Sequence, residues 1–305
     1  MEKAFFGGVL AFIAFALTTA YAGTEHHPDP GNAKCESYYS NFLEHDVGYC
    51  VDFAGPRVPG ERVVYFMHGL GGSAETWIAN GYAEALKATC EKNSCDPVAF
   101  ISFDTQPTSF FSDTRGEKTG TVAYETWFLT EFMPMMEQKY SVCTERHCRG
   151  LLGKSMGGLG ALKTALRYSG LFSIAAVNCA ALEPFSIFES DDDWSDYWDR
   201  HPIGSLKGNL ILDIVREIFP TEELANQNDP VWLVDNWKPS AVFPSLYFDV
   251  GDQDDFGFQE GFERFSRALD AKGFPHTSAL IPGADHELQW ERRWVVLKFL
   301  LERLR

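Results

Sequence analysis

The amino-acid sequence predicts an α/β fold with a mostly parallel central sheet and helices on both faces. Along most of the chain, short runs rich in β-branched and aromatic residues alternate with longer amphipathic segments, which is typical of parallel strands joined by helices. The runs are apolar at consecutive positions, as in Val63–Met67, and this is expected of strands buried on both faces. The chain has 305 residues, enough for one large domain.

Seven strands and five helices follow from this pattern. The strands are predicted at Gly48–Phe53, Arg62–Met67, Val98–Phe103, Gly150–Gly153, Ile174–Asn178, Ser245–Val250 and Ser278–Ile281. The helices are predicted at Thr76–Lys92, Val122–Tyr140, Met156–Tyr168, Phe258–Lys272 and Gln289–Leu304. Pro134 lies within the second helix and is expected to kink it.

The first residues have the layout of a secretory signal peptide. Lys3 precedes an apolar run from Ala4 to Leu17, and Ala20-Tyr21-Ala22 is a small-x-small cleavage pattern. The alternative is a transmembrane anchor, but the run is shorter than the ~20 residues that a span requires. We therefore expect residues 1–22 to be removed and residues 23–305 to form one domain that is secreted or periplasmic.

A segment of about sixty residues interrupts the alternation between Glu183 and Pro244. It carries an acidic, aromatic run, a short apolar helix near Leu210–Phe219, and a stretch with Pro and Trp. Such a length exceeds what a connection between two strands needs. We interpret it as an insertion over the C-terminal edge of the sheet, where open α/β sheets bind ligands. The alternative is a peripheral excursion that does not contact a ligand.

Six of the seven cysteines form close sequence pairs. These pairs are Cys35 with Cys50, Cys90 with Cys95, and Cys143 with Cys148. In an oxidising compartment such pairs favour disulfides that close short loops, although unrelated buried thiols are the alternative and the sequence alone does not fix the connectivity. Cys179 lies within an apolar run and is expected to be a buried free thiol. Metal binding is disfavoured because no Cys-x-x-Cys occurs.

The formal net charge is −17. Such an acidic surface repels phosphate backbones and anionic lipid headgroups. The composition therefore disfavours nucleic acid and membrane surfaces as partners.

The strongest motif is Gly153-Lys154-Ser155-Met156-Gly157-Gly158. It follows a predicted strand and precedes a predicted helix, which is the context of a nucleophile elbow, a sharp turn that exposes a reactive serine. Small residues on either side are needed because strand and helix come very close there. The amide of Met156, at the start of a helix, is a candidate oxyanion donor. A glycine-rich loop without chemistry is the alternative.

A second glycine-rich loop, His68-Gly69-Leu70-Gly71-Gly72, directly follows a predicted strand. Its glycines permit a sharp turn with amides free for a ligand. We expect the amide of Leu70 to be the second oxyanion donor and His68 to shape the loop. A phosphate-binding loop is disfavoured, because no Lys-Ser/Thr pair follows.

A histidine and an acid are expected to follow the serine along the chain, on loops after later strands. His286 follows the last predicted strand and is the candidate base. The acid is ambiguous, because Asp249, Asp252, Asp254 and Asp255 crowd one turn. The same turn partly matches a calcium loop, but Phe256 occupies a position that needs an oxygen ligand.

Taken together, these motifs resemble those of the putative-esterase family of α/β hydrolases, which includes esterase-D-like, feruloyl and enterochelin esterases and mycolyltransferases. The resemblance runs from about Tyr65 to Trp290 and includes the two glycine-rich loops, the helix around Pro134, Gly251-x-x-Asp254-x-Phe256, and Gly283…His286…Trp290. It implies the α/β-hydrolase fold. It also implies a triad of Ser155, Asp254 and His286, because the family's acid is the third residue after a glycine.

The sequence therefore predicts an exported serine esterase that works through an acyl-enzyme and needs no cofactor or metal. An acyltransferase with the same triad remains open, as does, less readily, a non-catalytic binding protein of this fold. The expected ligand is a small-molecule or carbohydrate-linked ester. Candidates for contact with it are His68, Trp194, Trp198 and Trp290. The predicted signal peptide argues against hydrolysis of a glutathione thioester, which is a cytosolic reaction.

Overall fold

A computed structural model describes residues 29–92, 95–116, 120–287 and 291–305. The predicted signal peptide, 1–22, and Trp290 lie outside the described residues. Within the described ranges, the central element is an eight-stranded sheet with the strand order β1-β2-β4-β3-β7-β8-β9-β10, and β5 pairs with β6 in a separate hairpin. The strands are β1 Lys34–Ser40, β2 His45–Ala54, β3 Arg62–Met67, β4 Val98–Phe103, β5 Asp113–Gly116, β6 Gly120–Ala123, β7 Arg149–Lys154, β8 Ile174–Asn178, β9 Ser245–Gly251 and β10 Thr277–Ile281.

The sheet is mostly parallel, as predicted. Every pairing from β4 through β3, β7, β8 and β9 to β10 is parallel, and β1 and β2 add an antiparallel hairpin at one edge. Because the six parallel strands run in the same direction, the loops after their last residues meet at one edge of the sheet.

Helices cover both faces of the sheet. They are α1 Thr76–Ala79, α2 Tyr82–Lys92, α3 Tyr124–Trp127, α4 Met133–Tyr140, α5 Met156–Arg167, α6 Asp191–Asp199, α7 Gly204–Ile218, α8 Glu222–Asn228, α9 Pro230–Asp235, α10 Phe258–Lys272 and α11 Glu291–Arg303. No described helix is both long enough and apolar enough to cross a membrane.

The consecutive apolar residues of β3 explain how the sheet makes two cores. Val63, Tyr65 and Met67 pack into the core on one face, whereas Val64 and Phe66 pack into the core on the other. Since side chains alternate along a strand, both sets must be apolar when helices cover both faces.

The predicted elements are found with local differences. The predicted helix 76–92 is divided at Gly81, whose φ of 72° is incompatible with a continuous helix. The predicted helix 122–140 contains a π-helical stretch, Phe128–Phe132, between α3 and α4. Pro134 follows that stretch, and its missing N–H removes a normal α-helical hydrogen bond there. Strand β1 and the hairpin β5–β6 are not among the predicted elements.

The segment between Glu183 and Pro244, called the insertion below, contains four helices, α6 to α9. Three of them begin with capping side chains: Ser190 accepts a hydrogen bond from the amide of Asp193, Thr221 from that of Leu224, and Asp229 from that of Val231. The predicted short apolar helix is longer than expected, because it begins at Gly204 rather than near Leu210.

Three disulfides join the predicted cysteine pairs: Cys35–Cys50, Cys90–Cys95 and Cys143–Cys148. Cys179 is a buried free thiol, as expected. The pairing is therefore the local one that the sequence favours.

Candidate active site

Ser155 occupies a strained turn between β7 and α5. Its φ of 57° and ψ of −122° lie outside the regions that non-glycine residues normally adopt. A Cβ atom on Gly153 would lie 2.1 Å from the carbonyl oxygen of Gly157, and one on Gly157 would lie 2.0 Å from the carbonyl oxygen of Met67. Glycine is therefore required at both positions, as the predicted elbow demands.

Strand β8 holds this turn through main-chain hydrogen bonds. The amide of Ser155 donates to the carbonyl of Asn178 at 3.0 Å, and the carbonyl of Ser155 accepts from the amide of Ala181 at 3.0 Å. Below them, Asn178 Nδ2 donates to Asp249 Oδ1 at 2.8 Å, and Arg292 lies 2.8 Å from Asp249 Oδ2. Buried polar contacts thus fix the strained backbone from the neighbouring strands.

The predicted histidine contacts the serine, and the predicted acid contacts the histidine. The Nε2 atom of His286 lies 3.0 Å from Ser155 Oγ, and its Nδ1 atom lies 2.7 Å from Asp254 Oδ2. The histidine is 7% exposed and Asp254 is 1% exposed, so both ring contacts are shielded from water. The rings of Phe256 and Phe258 pack edge-on against the imidazole and fix its orientation.

The four crowded carboxylates have different partners. Asp254 binds His286, whereas Asp252 Oδ1 accepts a hydrogen bond from the amide of Gly283 at 2.7 Å. Asp255 Oδ2 accepts from the amide of His286 at 3.4 Å. Asp249 is buried beneath the turn in its pair with Arg292. Asp252 and Asp254 therefore both have hydrogen-bond partners within the protein.

The loop after β3 lies beside the serine. A Cβ atom on Gly69 would lie 3.5 Å from Ser155 Cβ, so the loop passes directly next to the nucleophile. His68 is fully buried beneath it, with Nδ1 2.9 Å from the carbonyl oxygen of Gly69 and Nε2 3.2 Å from Thr105 Oγ1. Burial lowers the pKa of His68. The residue supports the loop from below and does not line the cavity described next.

A cavity of about 640 Å³ opens above Ser155. Leu70, Met156 and His286 line it near the serine. Much of its remaining wall is apolar and comes from the insertion, namely Pro184, Ile187, Trp194, Tyr197, Trp198, Pro202, Ile203, Ile211, Leu212 and Val215. The insertion therefore lies over the C-terminal edge of the sheet and forms a chamber beside the serine, which we call the apolar chamber.

The aromatic residues of the insertion divide into two groups. Trp194 and Trp198 line the chamber and stack on each other with ring centroids 5.1 Å apart, and Tyr197 packs against both. Trp232 is 37% exposed and does not line the chamber.

Two charged features of the chamber were not singled out in the sequence. Lys154 and Glu287 form an ion pair at 2.6 Å that joins the elbow to the loop of His286. Glu183, the first residue of the insertion, lines the chamber as well. Burial raises its pKa to about 7, and nearby Asp229 acts in the same direction. Glutamate beside proline in a loop carries no signal that would have identified it.

A buried ammonium group on helix α5 hydrogen-bonds to several segments around the chamber. Lys163 of α5 is fully buried, and its Nζ atom donates to the carbonyl of Phe111 at 2.9 Å, to Ser112 Oγ at 2.6 Å and to Glu125 Oε2 at 2.9 Å. It also lies 3.1 Å from Asn228 Oδ1, in the insertion. Phe111, with a φ of 51°, packs edge-on against His68 at 5.1 Å. Lys163 thus connects the insertion to the residues beneath the loop after β3.

Comparison with known proteins shows the family to which the chain belongs. The family profile described as "Putative esterase" matches residues 54–298. A curated esterase from Mycobacterium tuberculosis strain CDC 1551 is 24% identical over 231 residues, and the match covers 72% of this chain and 48% of that protein. The chain thus spans about half the length of the curated relatives it matches.

Solved structures show the same fold. A ferulic acid esterase superposes with a TM-score of 0.65 and 21% identity, covering 90% of this chain and 98% of that chain. An S-formylglutathione hydrolase from Agrobacterium tumefaciens superposes with a TM-score of 0.68 and 18% identity, covering 92% of this chain and 99% of that chain. The predicted α/β-hydrolase fold is confirmed by these likenesses.

Proposed function

Because this chain belongs to the "Putative esterase" family, as its motifs predict, we propose that it is a serine hydrolase of carboxylic esters with Ser155, His286 and Asp254 as its triad. The observation that carries the proposal is the relay from the strained Ser155 to His286 at 3.0 Å and on to Asp254 at 2.7 Å. This is the order of nucleophile, general base and orienting acid that acyl transfer requires.

In the first step, Ser155 Oγ attacks the ester carbonyl carbon while His286 Nε2 takes the hydroxyl proton. Asp254 accepts a hydrogen bond from Nδ1–H, which holds the imidazole in the tautomer that leaves Nε2 free to act as a base. The carboxylate also stabilises the imidazolium that forms. Collapse of the tetrahedral intermediate expels the alcohol, which takes the proton from His286, and leaves the acyl group on Ser155.

The negative charge on the tetrahedral oxygen needs hydrogen-bond donors. We assign this role to the amides of Leu70 and Met156, whose residues line the chamber together with the serine. The amide of Met156 belongs to the first turn of α5, where amides have no acceptor within the helix. Two such donors contribute several kcal/mol to the transition state, at about 2.7–4 kcal/mol each.

Water then hydrolyses the acyl-enzyme, and His286 again acts first as a base and then as an acid. His286 takes a proton from water, the hydroxide attacks the acyl carbon, and the serine leaves with the proton returned. The chamber of about 640 Å³ beside Ser155 holds the apolar group of the ester. A chamber of this volume falls within the usual range of ligand pockets, and it can hold a group much larger than acetate.

We also propose that residues 1–22 are removed on export and that residues 23–305 form one α/β-hydrolase domain with the insertion as its chamber wall. The three disulfides support an oxidising compartment, either the periplasm or the medium. The N-terminal sequence of the secreted protein tests this, since it should begin at Gly23.

The function is tested with nitrophenyl esters of graded acyl length. Ser155→Ala should retain its fold and lose hydrolysis by at least ~10⁴-fold. A phosphonate probe should add its mass to Ser155 in the wild type and not in this variant. Substantial turnover by Ser155→Ala would contradict the mechanism. Product analysis with added alcohols distinguishes hydrolysis from acyl transfer.

A further inference from the structure

Glu183 lies at the boundary between the apolar chamber and a second, much smaller cavity of about 40 Å³. Ile187 and Val215 line both cavities with it, whereas Pro184 lines the chamber alone. The small cavity is lined in part by polar residues, Asn226, Asn228, Asp229 and Arg264. The ionisable residue Glu183 therefore lies between the apolar chamber and a small cavity with polar lining residues.

The nearby cation is already engaged. Arg264 Nη2 donates to Asp229 Oδ2 at 2.7 Å, and its Nη1 donates to the main-chain carbonyl of Glu183 at 3.3 Å rather than to the side chain. Within the described residues, no side chain hydrogen-bonds to the Glu183 carboxyl group, which accepts from its own main-chain amide. This half-buried carboxyl group can still make a further hydrogen bond to a ligand or to water.

The other acidic residues of the chamber wall differ from Glu183 in this respect. Glu287 is paired with Lys154 at 2.6 Å, and Asp255 accepts from the amide of His286. Both therefore have a role in holding the loops around Ser155. Glu183 therefore lines the chamber with a carboxyl group that no other side chain engages.

We propose that Glu183 determines substrate specificity by hydrogen bonding to a hydroxyl group carried on the apolar part of the ester that fills the chamber. The inference rests on the proposed esterase function. It adds to it the class of substrate, a hydroxylated apolar ester, and the residue that recognises the hydroxyl.

A hydroxyl group fits Glu183 better than a charged group does. The pKa of this carboxyl group is raised by burial to about 7, so both of its protonation states are populated near neutral pH. A hydroxyl donates to the ionised form and accepts from the protonated form. An ammonium pairs only with the ionised form, and a carboxylate only with the protonated one. The apolar walls also disfavour any charged group without a partner.

The experiment compares matched ester pairs that differ by one hydroxyl. One arm varies the acyl group, with nitrophenyl hexanoate against nitrophenyl 6-hydroxyhexanoate and nitrophenyl 3-phenylpropanoate against its 4-hydroxyphenyl analogue. The other arm varies the alcohol, with hexyl acetate against hexane-1,6-diol monoacetate. The measured quantity is the ratio of kcat/KM between the hydroxylated and plain members of each pair.

The wild type should favour the hydroxylated member in one arm by about tenfold or more, the size of one hydrogen bond to an ionisable group. Glu183→Leu should abolish this preference while still hydrolysing the plain ester. Glu183→Gln should keep part of it, because an amide also donates and accepts. The arm that responds identifies whether the acyl group or the alcohol occupies the chamber.

Val215→Leu is the matched control. It changes the chamber by one methylene and leaves Glu183 in place, so it should alter both members of a pair together. Equal ratios in the wild type and Glu183→Leu would overturn the inference while the esterase function stands. Thermal unfolding shows whether a variant has lost activity through its fold. Failure of the wild type to cleave any ester would overturn the proposed function itself, and the inference with it.

Discussion

The Oδ2 atom of Asp254 lies 2.7 Å from Nδ1 of His286, on the side of the imidazole opposite to Ser155. Asp252, two residues earlier, instead holds the loop of His286 by accepting the amide of Gly283. The two carboxylates therefore act on the same loop in different ways, one through the imidazole and one through the main chain.

Asp254→Asn should lower kcat far more than Asp252→Asn. An amide at position 254 can donate to Nδ1 and so favours the wrong imidazole tautomer, which costs about 10⁴-fold in kcat in a triad. An amide at position 252 keeps an oxygen for the amide of Gly283, so its effect on kcat should be small. Steady-state kinetics on one nitrophenyl ester measures both variants. Equal effects, or the reverse order, would show that the acid has been misassigned.

Lys163→Met should destabilise the protein strongly. It leaves the carboxylate of Glu125, which is 4% exposed, without its buried ammonium partner at 2.9 Å, while Arg167 remains paired with it. Breaking a buried ion pair by removing one partner typically costs about 3–5 kcal/mol. Denaturant unfolding measures the loss. The same substitution should cost less in a Glu125→Gln background, where no carboxylate depends on the ammonium group, and an equal cost in both backgrounds would contradict this account.

The stability of the wild type should fall in acid partly through Glu125. Burial acts to raise the pKa of this group, but Lys163 and Arg167 outweigh it and lower the pKa to about 2. The pKa is thus lower in the folded than in the unfolded chain. The stabilisation of the fold by ionised Glu125 is therefore complete above about pH 4.5 and is lost as the pH falls toward 2. Unfolding free energies at pH 5 and pH 3 should differ less in Glu125→Gln than in the wild type. The exposed Asp270→Asn serves as control and should keep the wild-type difference.

The residues of the proposed triad were accessible from the sequence to different degrees. Ser155 stands in a local motif whose glycines are required by close contacts, and His286 follows from chain order and its position after a strand. Asp254 could be selected from four carboxylates only through the family resemblance, because composition and spacing do not reveal which oxygen meets the imidazole.

Other features could not be predicted, because they depend on contacts between distant segments. Lys163 and Glu125 are 38 positions apart on separate helices, and each resembles an ordinary charged residue of an amphipathic helix. Glu183 gains its significance from two cavities that appear only once the insertion has packed. The edge strand β1 is not predicted because its residues are largely polar and exposed, and it lacks the apolar run that identifies the buried strands.

Loss of the Cys35–Cys50 disulfide should cost stability without loss of activity. The bond closes the longest of the three disulfide loops, with a sequence separation of 15 against 5 for each of the others. Chain entropy assigns about 3 kcal/mol to a loop of this length. None of the six bonded cysteines lines the chamber, so kcat/KM of Cys35→Ser/Cys50→Ser should match the wild type below its unfolding temperature. Loss of activity in folded protein would contradict this separation of roles.

Alkylation of the native protein should leave Cys179 unmodified, because this free thiol is buried.

The insertion should set the preference among esters through the aromatic residues that face the chamber. Trp198 lines the chamber and is 4% exposed, whereas Trp232, in the same insertion, is 37% exposed and does not line it. Trp198→Ala should therefore change discrimination between esters that differ by one methylene, an effect of about 1–3 kcal/mol in an apolar pocket. Trp232→Ala should leave the order and the ratios of kcat/KM unchanged.

Stability and specificity have to be separated in this comparison, because truncating a buried tryptophan typically costs about 3–5 kcal/mol. Trp198→Phe is the milder variant, and it should shift the same ratios while retaining more of the folded protein. Ratios of kcat/KM between esters are independent of the fraction that is folded, so they report on the chamber alone. If both Trp198 variants keep the wild-type ratios and lose only stability, the insertion is a scaffold. The ester group would then be recognised by the loops after β3 and β4 instead.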